Sequence, residues 1–528
     1  MPSIIFNNVS FYYTTPYREI FKNLNLEIDT SWKCGLIGRN GKGKSTLFKL
    51  IHKELSPTAG FVKVPVKTFY FISLNANRDY DDKAKDAGLD FIGQYRQMER
   101  DMESMVEKSD IESIDRVGEI REEYERESGY TIRSSIIREA AKMNLGEDIL
   151  EQPFSTLSGG EKTKLLIASM FAYDNGFMLL DEPTNHLDID SREIVAEYLS
   201  KKRGFIVVSH DRYFLDMCTD HTISMNKENI EMIKGNYSAW RDQYENKIYS
   251  EMQMNENLTR EIKSLKRAAD ERRLWADAKE DEVSSAGDRG FVSHMAAKLM
   301  KRALNIERRM DENIIRKEKL LKDFEKTRDL KVESKDDIET ILTVRNLSFG
   351  YDEKKIIDNL TFTIKQNNRI ALIGQNGSGK TTLIKLILGE LNADEGDIKL
   401  LSRAKVAYSS QEPLWQSGKL EDKIKEAQID RTKFSQITGS MGIERNIFSF
   451  DIKDLSDGEK KKVDLARTLL EPSNLIIWDE PLNYMDVPSR EMLERMILKY
   501  KPTMLFVEHD RYFIENTATD VVEMNERN

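Results

Sequence analysis

LIGRNGKGKSTLFKLI, residues 36–51, returns as LIGQNGSGKTTLIKLI at 372–387. Each copy holds the pattern G-x-x-x-x-G-K-[ST], from Gly38 to Ser45 and from Gly374 to Thr381. An apolar run precedes each loop (Cys34 to Ile37, Ile370 to Ile373) and a helix-period pattern follows, so the context is strand, loop, helix. Glycines let such a loop curl until its N–H groups point at phosphate oxygens, and the helix N-terminus adds its dipole. A chance glycine-rich turn can mimic one copy, but not two in the same context. The candidate phosphate cradle is Gly38, Asn40, Gly41, Gly43, Lys44, Ser45 and Thr46 in the first copy. In the second it is Gly374, Asn376, Gly377, Gly379, Lys380, Thr381 and Thr382. Lys44 and Lys380 are expected to reach the β and γ phosphates of a nucleotide, with Ser45 and Thr381 on Mg²⁺.

The duplication extends outward from these loops. IIFNNVSFYY (4–13) pairs with LTVRNLSFGY (342–351), and LSGGEKTKLLIA (157–168) with LSDGEKKKVDLA (455–466). LLDEPTNHLD (179–188) pairs with IWDEPLNYMD (477–486), and VVSHDRYF (207–214) with FVEHDRYF (506–513). A repeat of about 200 residues with one order of parts is a duplicated domain, not a solenoid of short units. Phe177 to Glu182 and Leu475 to Glu480 read as buried parallel strands ending in two carboxylates. Strand ends face the ligand in open α/β sheets, so Asp181 and Asp479 are expected at the metal. Glu182 and Glu480, one residue on, are placed to polarise the attacking water. His210 and His509 follow a second apolar run and are expected at the γ-phosphate, although a lone strand-end His is more often structural. Leu157-Ser-Gly-Gly-Glu161 and Leu455-Ser-Asp-Gly-Glu459 fit a helix capping box, a purely structural role on their own.

Of 528 residues, 81 are Lys or Arg and 91 are Asp or Glu, a net charge of −10. Charged residues are 33% of the chain, above the roughly one quarter of an average soluble protein, and hydrophobic ones 39%. No run approaches the ~18 apolar residues of a membrane-spanning helix. The N-terminus lacks the basic and apolar regions of a signal peptide. Cys34 and Cys218 are too few and too isolated for a disulfide framework or a zinc site. The expectation is a soluble, cytoplasmic protein, and net acidity argues mildly against a generic nucleic-acid binder.

Phosphate loop, LSGGE, Asp-Glu strand end and His, in this order and twice on one chain, resemble an ABC ATPase tandem, and the resemblance to the ABC-F family covers essentially the whole sequence. It implies an α/β fold: two P-loop ABC ATPase domains joined by a long α-helical hairpin. The boundaries are 1–240, with an arm insertion at about 79–145; 241–340 for the hairpin, with its tip at about 284–297; and 341–528. The domains would close head to tail on two ATP molecules with Mg²⁺. Gly38 to Thr46 would then face Ser456 and Gly458, and Gly374 to Thr382 would face Ser158, Gly159 and Gly160. Tyr13 and Tyr351 fall where the family stacks an aromatic on adenine, and Gln411 where it keeps a metal-contacting glutamine. The first copy has no such Gln, Asp457 replaces a signature glycine, and PLNYMD departs from PTNHLD, so the two sites are expected to turn over unequally.

Residues 241–335 alternate charge at helical spacing and break at Ser284 to Gly290, which reads as two antiparallel helices and a tip. A solvated charged spacer is the plainer reading. From Ser284 to Leu304, however, Arg289, Lys298, Lys301 and Arg302 face one acid, with Phe291, His294 and Met295 interleaved. Cations beside stacking side chains suit irregular RNA. The tip resembles that of the Vga/Lsa-type antibiotic-resistance branch, which dislodges lincosamides, pleuromutilins and streptogramin A. That resemblance implies the 70S ribosome as partner, with large-subunit rRNA, P-site tRNA and the exit-site stalk, and one monomer carrying both ATP sites. A housekeeping ABC-F factor acting on stalled ribosomes is the near alternative, and a transporter's ATPase subunit or a DNA-repair ATPase the remote ones.

Overall fold

A computed structural model describes residues 2–14, 17–72, 82–106, 111–174, 176–185, 187–225, 230–284, 339–351, 354–443 and 445–524. It divides into two compact units, Met1–Ser238 with Asp329–Asn528, and Ala239–Arg328. The first unit holds two lobes built on one plan, as the repeat predicts.

In the first lobe six strands run in the order Thr68–Ile72, Phe177–Asp181, Phe205–Val208, Lys33–Gly38, His221–Met225, Ile230–Lys234. All neighbours are parallel except the last pair. The second lobe repeats the first five places with Val406–Ser409, Leu475–Asp479, Met504–Val507, Arg369–Ile373 and Asp520–Glu523, all parallel. Their continuous apolar runs fit strands covered on both faces: Phe205–Val208 and Met504–Val507 are buried at every residue. Because the strands are parallel, the phosphate loop, the Asp-Glu pair and His210 or His509 all emerge at the carboxyl ends of the strands in each sheet.

A three-stranded antiparallel sheet packs beside each parallel one, in the order Tyr17–Asp29, Ser3–Thr14, Ala59–Lys63 and its counterpart Lys354–Lys365, Thr340–Tyr351, Glu395–Leu400. These sheets shape the phosphate loops. The helices Lys44–Ile51 and Lys380–Leu388 start from Gly43 (φ 99°) and Gly379 (φ 92°). A Cβ on either glycine would lie 2.4 Å from a Cγ2 methyl of the antiparallel sheet, Ile20 in one lobe and Ile356 in the other. Glycine is therefore required both by backbone conformation and by space.

Between its antiparallel sheet and signature helix the first lobe carries Ala84–Ile92, Tyr95–Val106, Ile111–Arg126 and Gly129–Ala141. The second lobe has Leu420–Glu426 and Arg431–Ser440 in the corresponding stretch. Arg133 binds Asp86 (2.6 Å) and Glu99 (2.7 Å), joining three of the first-lobe helices. The second unit contains most of the helix Tyr237–Ser284, 48 residues long, which lies in the stretch where the hairpin is expected to begin. The tip and second arm, including Arg289, Phe291, His294, Met295, Lys298, Lys301 and Arg302, lie outside the described residues. Among the described residues no helix is long and apolar enough to cross a membrane. Cys34 and Cys218 are buried and unpaired with each other, and burial raises both thiol pKa values.

Gly43→Ala is expected to destabilise the first lobe by about 1–3 kcal/mol, through the strained φ and the methyl clash. Adding Ile20→Ala should return only the clash component. Thermal unfolding of the two variants measures the difference, and a neutral Gly43→Ala would contradict the account.

Candidate functional site

Each phosphate loop is held in shape by its own lysine. Lys44 Nζ donates to Gly38 O (2.7 Å) and Asn40 Oδ1 (3.3 Å); Lys380 Nζ donates to Gly374 O (2.8 Å) and Gln375 O (2.7 Å). Burial lowers both lysine pKa values, against the pull of nearby carboxylates. Ser45 donates to Asp181 Oδ2 (2.9 Å) and Thr381 to Asp479 Oδ2 (3.1 Å), so each lobe brings together a hydroxyl and a carboxylate, both expected at the metal. Tyr70 also donates to Asp181 (3.1 Å), whereas Asp479 Oδ1 is buried with no hydrogen-bond partner. Burial, followed by the adjacent Glu480, pushes Asp479 up to about 6. A hydroxyl beside an orphaned carboxylate oxygen is a donor set that fits Mg²⁺.

Glu182 and Glu480 both adopt left-handed backbone, φ 52° and 49°. Strain of this kind costs of order 1–3 kcal/mol and persists only where the surroundings fix it. Here the Glu182 and Glu480 N–H groups donate to Val208 O (3.0 Å) and Val507 O (3.1 Å) on the neighbouring strands. The two side chains then differ. Glu182 Oε1 lies 3.2 Å from His210 Nε2, but the ring's hydrogen bond is to Asn40 Oδ1 (3.2 Å), so this carboxylate oxygen is buried without one. Burial pushes Glu182 up to about 7 against the pull of Lys44. Glu480 instead accepts from Gln411 Nε2 (2.9 Å) and Asn483 Nδ2 (2.5 Å). Gln411 thus contacts the glutamate here, not Asp479. The corresponding part of the first copy, from residue 73 on, lies outside the described residues. His210 and His509 are held neutral by burial, His509 at about 3, and His509 Nδ1 has no partner.

The lobes meet head to tail. Asn40 N–H donates to Asp486 Oδ2 (3.2 Å) and its side chain to Tyr484 O (3.0 Å); reciprocally, Asn376 N–H donates to Asp188 Oδ2 (3.3 Å). A Cβ built on Gly458 would come 3.8 Å from Asn40 Nδ2, so the second signature helix opens beside the first phosphate loop. Ser158 and Ser456 both form the full capping box, with Glu161 and Glu459. Asp457 is the first, exposed residue of its helix. Tyr13 and Tyr351 stand half-exposed and edge-on to Phe11 and Phe349, with Tyr13 OH 3.1 Å from Thr46 Oγ1. The sequence reading did not single out Asp188 and Asp486 as site residues. Their signal was their recurrence at the end of the DEP motif, three residues before a serine, where each caps its own helix.

Behind the sites the twofold likeness breaks. Arg212, two residues past His210, forms a two-pronged pair with Glu494 and lies 3.6 Å from Asp510, with Arg212 and Glu494 side chains 8% and 10% exposed. Its counterpart Arg511 meets Glu193 at 2.7 Å with 46% and 42% exposure. The difference traces to one position: Glu494 stands where the first copy has Ala196.

The family described as "ABC transporter" matches residues 21–185 and 357–483. The chain is 29% identical to the "Ribosome protection protein VmlR" of Bacillus subtilis, over 98% of this chain and 85% of that one. It is 30% identical to the "Putative ATP-binding protein YdiF" of the same organism, over 96% and 78%. The structure of the complex of archaeal ribosomal stalk protein aP1 and ribosome recycling factor aABCE1 superposes with a TM-score of 0.61 at 19% identity, covering 98% of this chain and 87% of that one; it supports the fold alone.

Arg212→Ala is expected to cost about 3–5 kcal/mol, since it leaves Glu494 buried without its cation, while Asp510 keeps Arg490. Arg511→Ala should cost under about 1 kcal/mol because its pair is exposed. Glu494→Ala added to Arg212→Ala should return part of the loss. Denaturant unfolding reads all three, and equal costs for the two arginines would refute the asymmetry.

Proposed function

The chain belongs to the ABC-F family of tandem ABC ATPases, and on that premise we propose that it is a ribosome-binding factor protecting translation from antibiotics. It hydrolyses ATP. The observation that carries the site reading is the reciprocal approach of each phosphate loop to the opposite lobe, which makes two composite sites in one chain. Ribosome protection as the purpose is supported by the likeness to VmlR along nearly the whole length.

In the proposed reaction Lys44 and Lys380 turn from their loop carbonyls to the β and γ phosphates, while the loop N–H groups hold the remaining oxygens. Ser158, Gly159 and Gly160, and Ser456 and Gly458, close on the γ-phosphate from the opposite lobe. Tyr13 and Tyr351 carry adenine. Ser45 with Asp181, and Thr381 with Asp479 and Gln411, would hold Mg²⁺, which would supply charge neutralisation for the phosphates. Glu182 and Glu480 orient and polarise the attacking water, and neutral His210 and His509 donate to the γ-phosphate. Positioning and charge stabilisation supply most of the rate.

ATP closure would create the ribosome-binding form, entering from the tRNA exit site with P-site tRNA and large-subunit rRNA as contacts. The helix from Tyr237 would span ~70 Å at 1.5 Å per residue and carry the tip toward the peptidyl-transferase centre. There Arg289, Phe291, His294, Met295, Lys298, Lys301 and Arg302 meet RNA, and lincosamides, pleuromutilins or streptogramin A are displaced. Hydrolysis would then release the factor.

The double variant Glu182→Gln/Glu480→Gln is expected to bind ATP, lose hydrolysis by at least about 100-fold, and co-sediment with ribosomes; failure to co-sediment rejects the ribosome. Single glutamine variants should leave unequal residual rates, and indistinguishable ones reject unequal sites. Expression in a drug-sensitive bacterium should raise inhibitory concentrations of lincosamides and pleuromutilins, and a Gly-Ser tip should abolish the effect. Unchanged concentrations with the intact chain reject drug protection and leave the ATPase.

Mg²⁺ with ATP is expected to release protons at pH 6. Asp479, raised to about 6, is about half protonated there and must ionise to bind the cation. Calorimetry in buffers of different ionisation enthalpy measures the release, and Asp479→Asn should reduce it.

A further inference from the structure

Two buried charges distinguish the catalytic edge of the second lobe from that of the first. In the aligned repeats Lys461 replaces Thr163, Leu482 replaces Thr184 and Glu508 replaces Ser209. In the first lobe the Thr184 and Ser209 hydroxyls lie 2.9 Å apart in a hydrogen bond, and Ser209 Oγ accepts the Asp211 N–H (3.1 Å). This neutral pair joins the loop after Glu182 to the segment bearing His210.

Leu482 cannot make that link, and the Glu508 side chain makes another. Its Oε1 accepts the Leu482 N–H (2.8 Å), and its Oε2 accepts the N–H groups of His509 (2.8 Å) and Asp510 (3.4 Å). Leu482 is two residues past Glu480, so one carboxylate ties the catalytic loop to the switch segment. On the other side of the strand end, Lys461 donates to Ser410 O (2.7 Å) and Asp479 O (3.2 Å). Ser410 precedes Gln411, whose amide holds the Glu480 carboxylate, and Asp479 precedes Glu480 itself. Both charged residues are buried, 1% exposed for Lys461 and 4% for Glu508. Every hydrogen bond described for these two side chains goes to the main chain. Burial opposes charge on both; Asp464, Asp479 and Glu508 partly offset it for Lys461, and Arg490 favours the ionised Glu508 while Asp510 opposes it. A buried pair that is costly to keep charged and that grips only backbone fixes geometry more than it adds stability.

We infer that Glu508 and Lys461 are positioning residues for ATP hydrolysis at the second phosphate loop, fixing Glu480 and His509 relative to each other from both sides of the strand end. Glu480 needs such support because its left-handed backbone is strained, and a displacement near 1 Å can slow a reaction by about 100-fold.

The test resolves the two sites within the full chain. Photo-crosslinking with 8-azido-ATP labelled on the α phosphate reads binding, and label on the γ phosphate, lost on hydrolysis, reads turnover. Labelled peptides are assigned to residues before or after the linker. In Glu508→Gln the side chain keeps its shape but has only one acceptor oxygen. Loss of γ label from the second half should slow by roughly tenfold or more, with α labelling within about twofold of wild type. Lys461→Met is read in the same way and should also slow the second half. The triple variant Lys461→Thr/Leu482→Thr/Glu508→Ser installs the first lobe's arrangement and should recover most of the rate. Wild-type loss of γ label in Glu508→Gln or in Lys461→Met overturns the proposal. So does a triple variant that is folded by circular dichroism yet as slow as Glu508→Gln.

Discussion

On each side of the lobe interface one aspartate works in two directions. Asp188 Oδ1 receives the Ser191 N–H and caps its own helix, while its Oδ2 receives the Asn376 N–H from the opposite phosphate loop. Asp486 does the same with Ser489 and Asn40. A carboxylate at a helix N-terminus is stabilised by the orphan N–H groups and the dipole there, so its position is fixed before the other lobe arrives. The loop that must curl around phosphate is thus shaped partly by the neighbouring domain's secondary structure. Loop shape, lobe closure and the placement of the signature helix cannot vary independently.

The same constraint explains why buried charge collects between the lobes. Arg192 joins Asp211 to His509 O (2.9 and 3.1 Å), and Arg490 joins Asp510 to Leu482 O (3.1 and 3.0 Å). These arginines sit one turn into the helices that Asp188 and Asp486 cap. The aspartate that meets the opposite phosphate loop and the arginine that holds the segment beside the histidine thus stand on one helix start.

Much of this architecture was legible in the chain. The repeat gave two lobes, and continuous apolar runs gave the parallel strands that bring Asp181, Glu182 and His210 to one edge. Ser158 with Glu161 announced a capping box, and the structure contains it. What sequence could not supply was partnership across distance. The hydrogen bond from Gln411 to Glu480 has no signal in the residues around either one. Arg212 and Arg511 occur in identical HDRYF motifs, yet one is buried and the other exposed, because position 494 on another element decides. Nothing local in FVEHD marks Glu508 as the acceptor of three backbone N–H groups. Local pattern determined which elements form; the identity of residues hundreds of positions away determined what each charge does.

The Ala196–Glu494 difference also bears on the history and handling of the molecule. Two identical lobes could exchange partners freely, and a dimer of either one would be self-complementary. Once a glutamate stood at 494 and Arg212 was buried against it, that symmetry was lost. A pair of first halves would set Arg212 against Glu193, the acid that Arg511 meets here, and would lack the buried Glu494. Pairs of second halves would set Glu494 against the counterpart of Arg212, an arginine that now reaches outward. The two halves share one plan, yet the charge at position 494 makes one arginine–acid contact between them buried and the other exposed, so the halves are no longer interchangeable at their shared face.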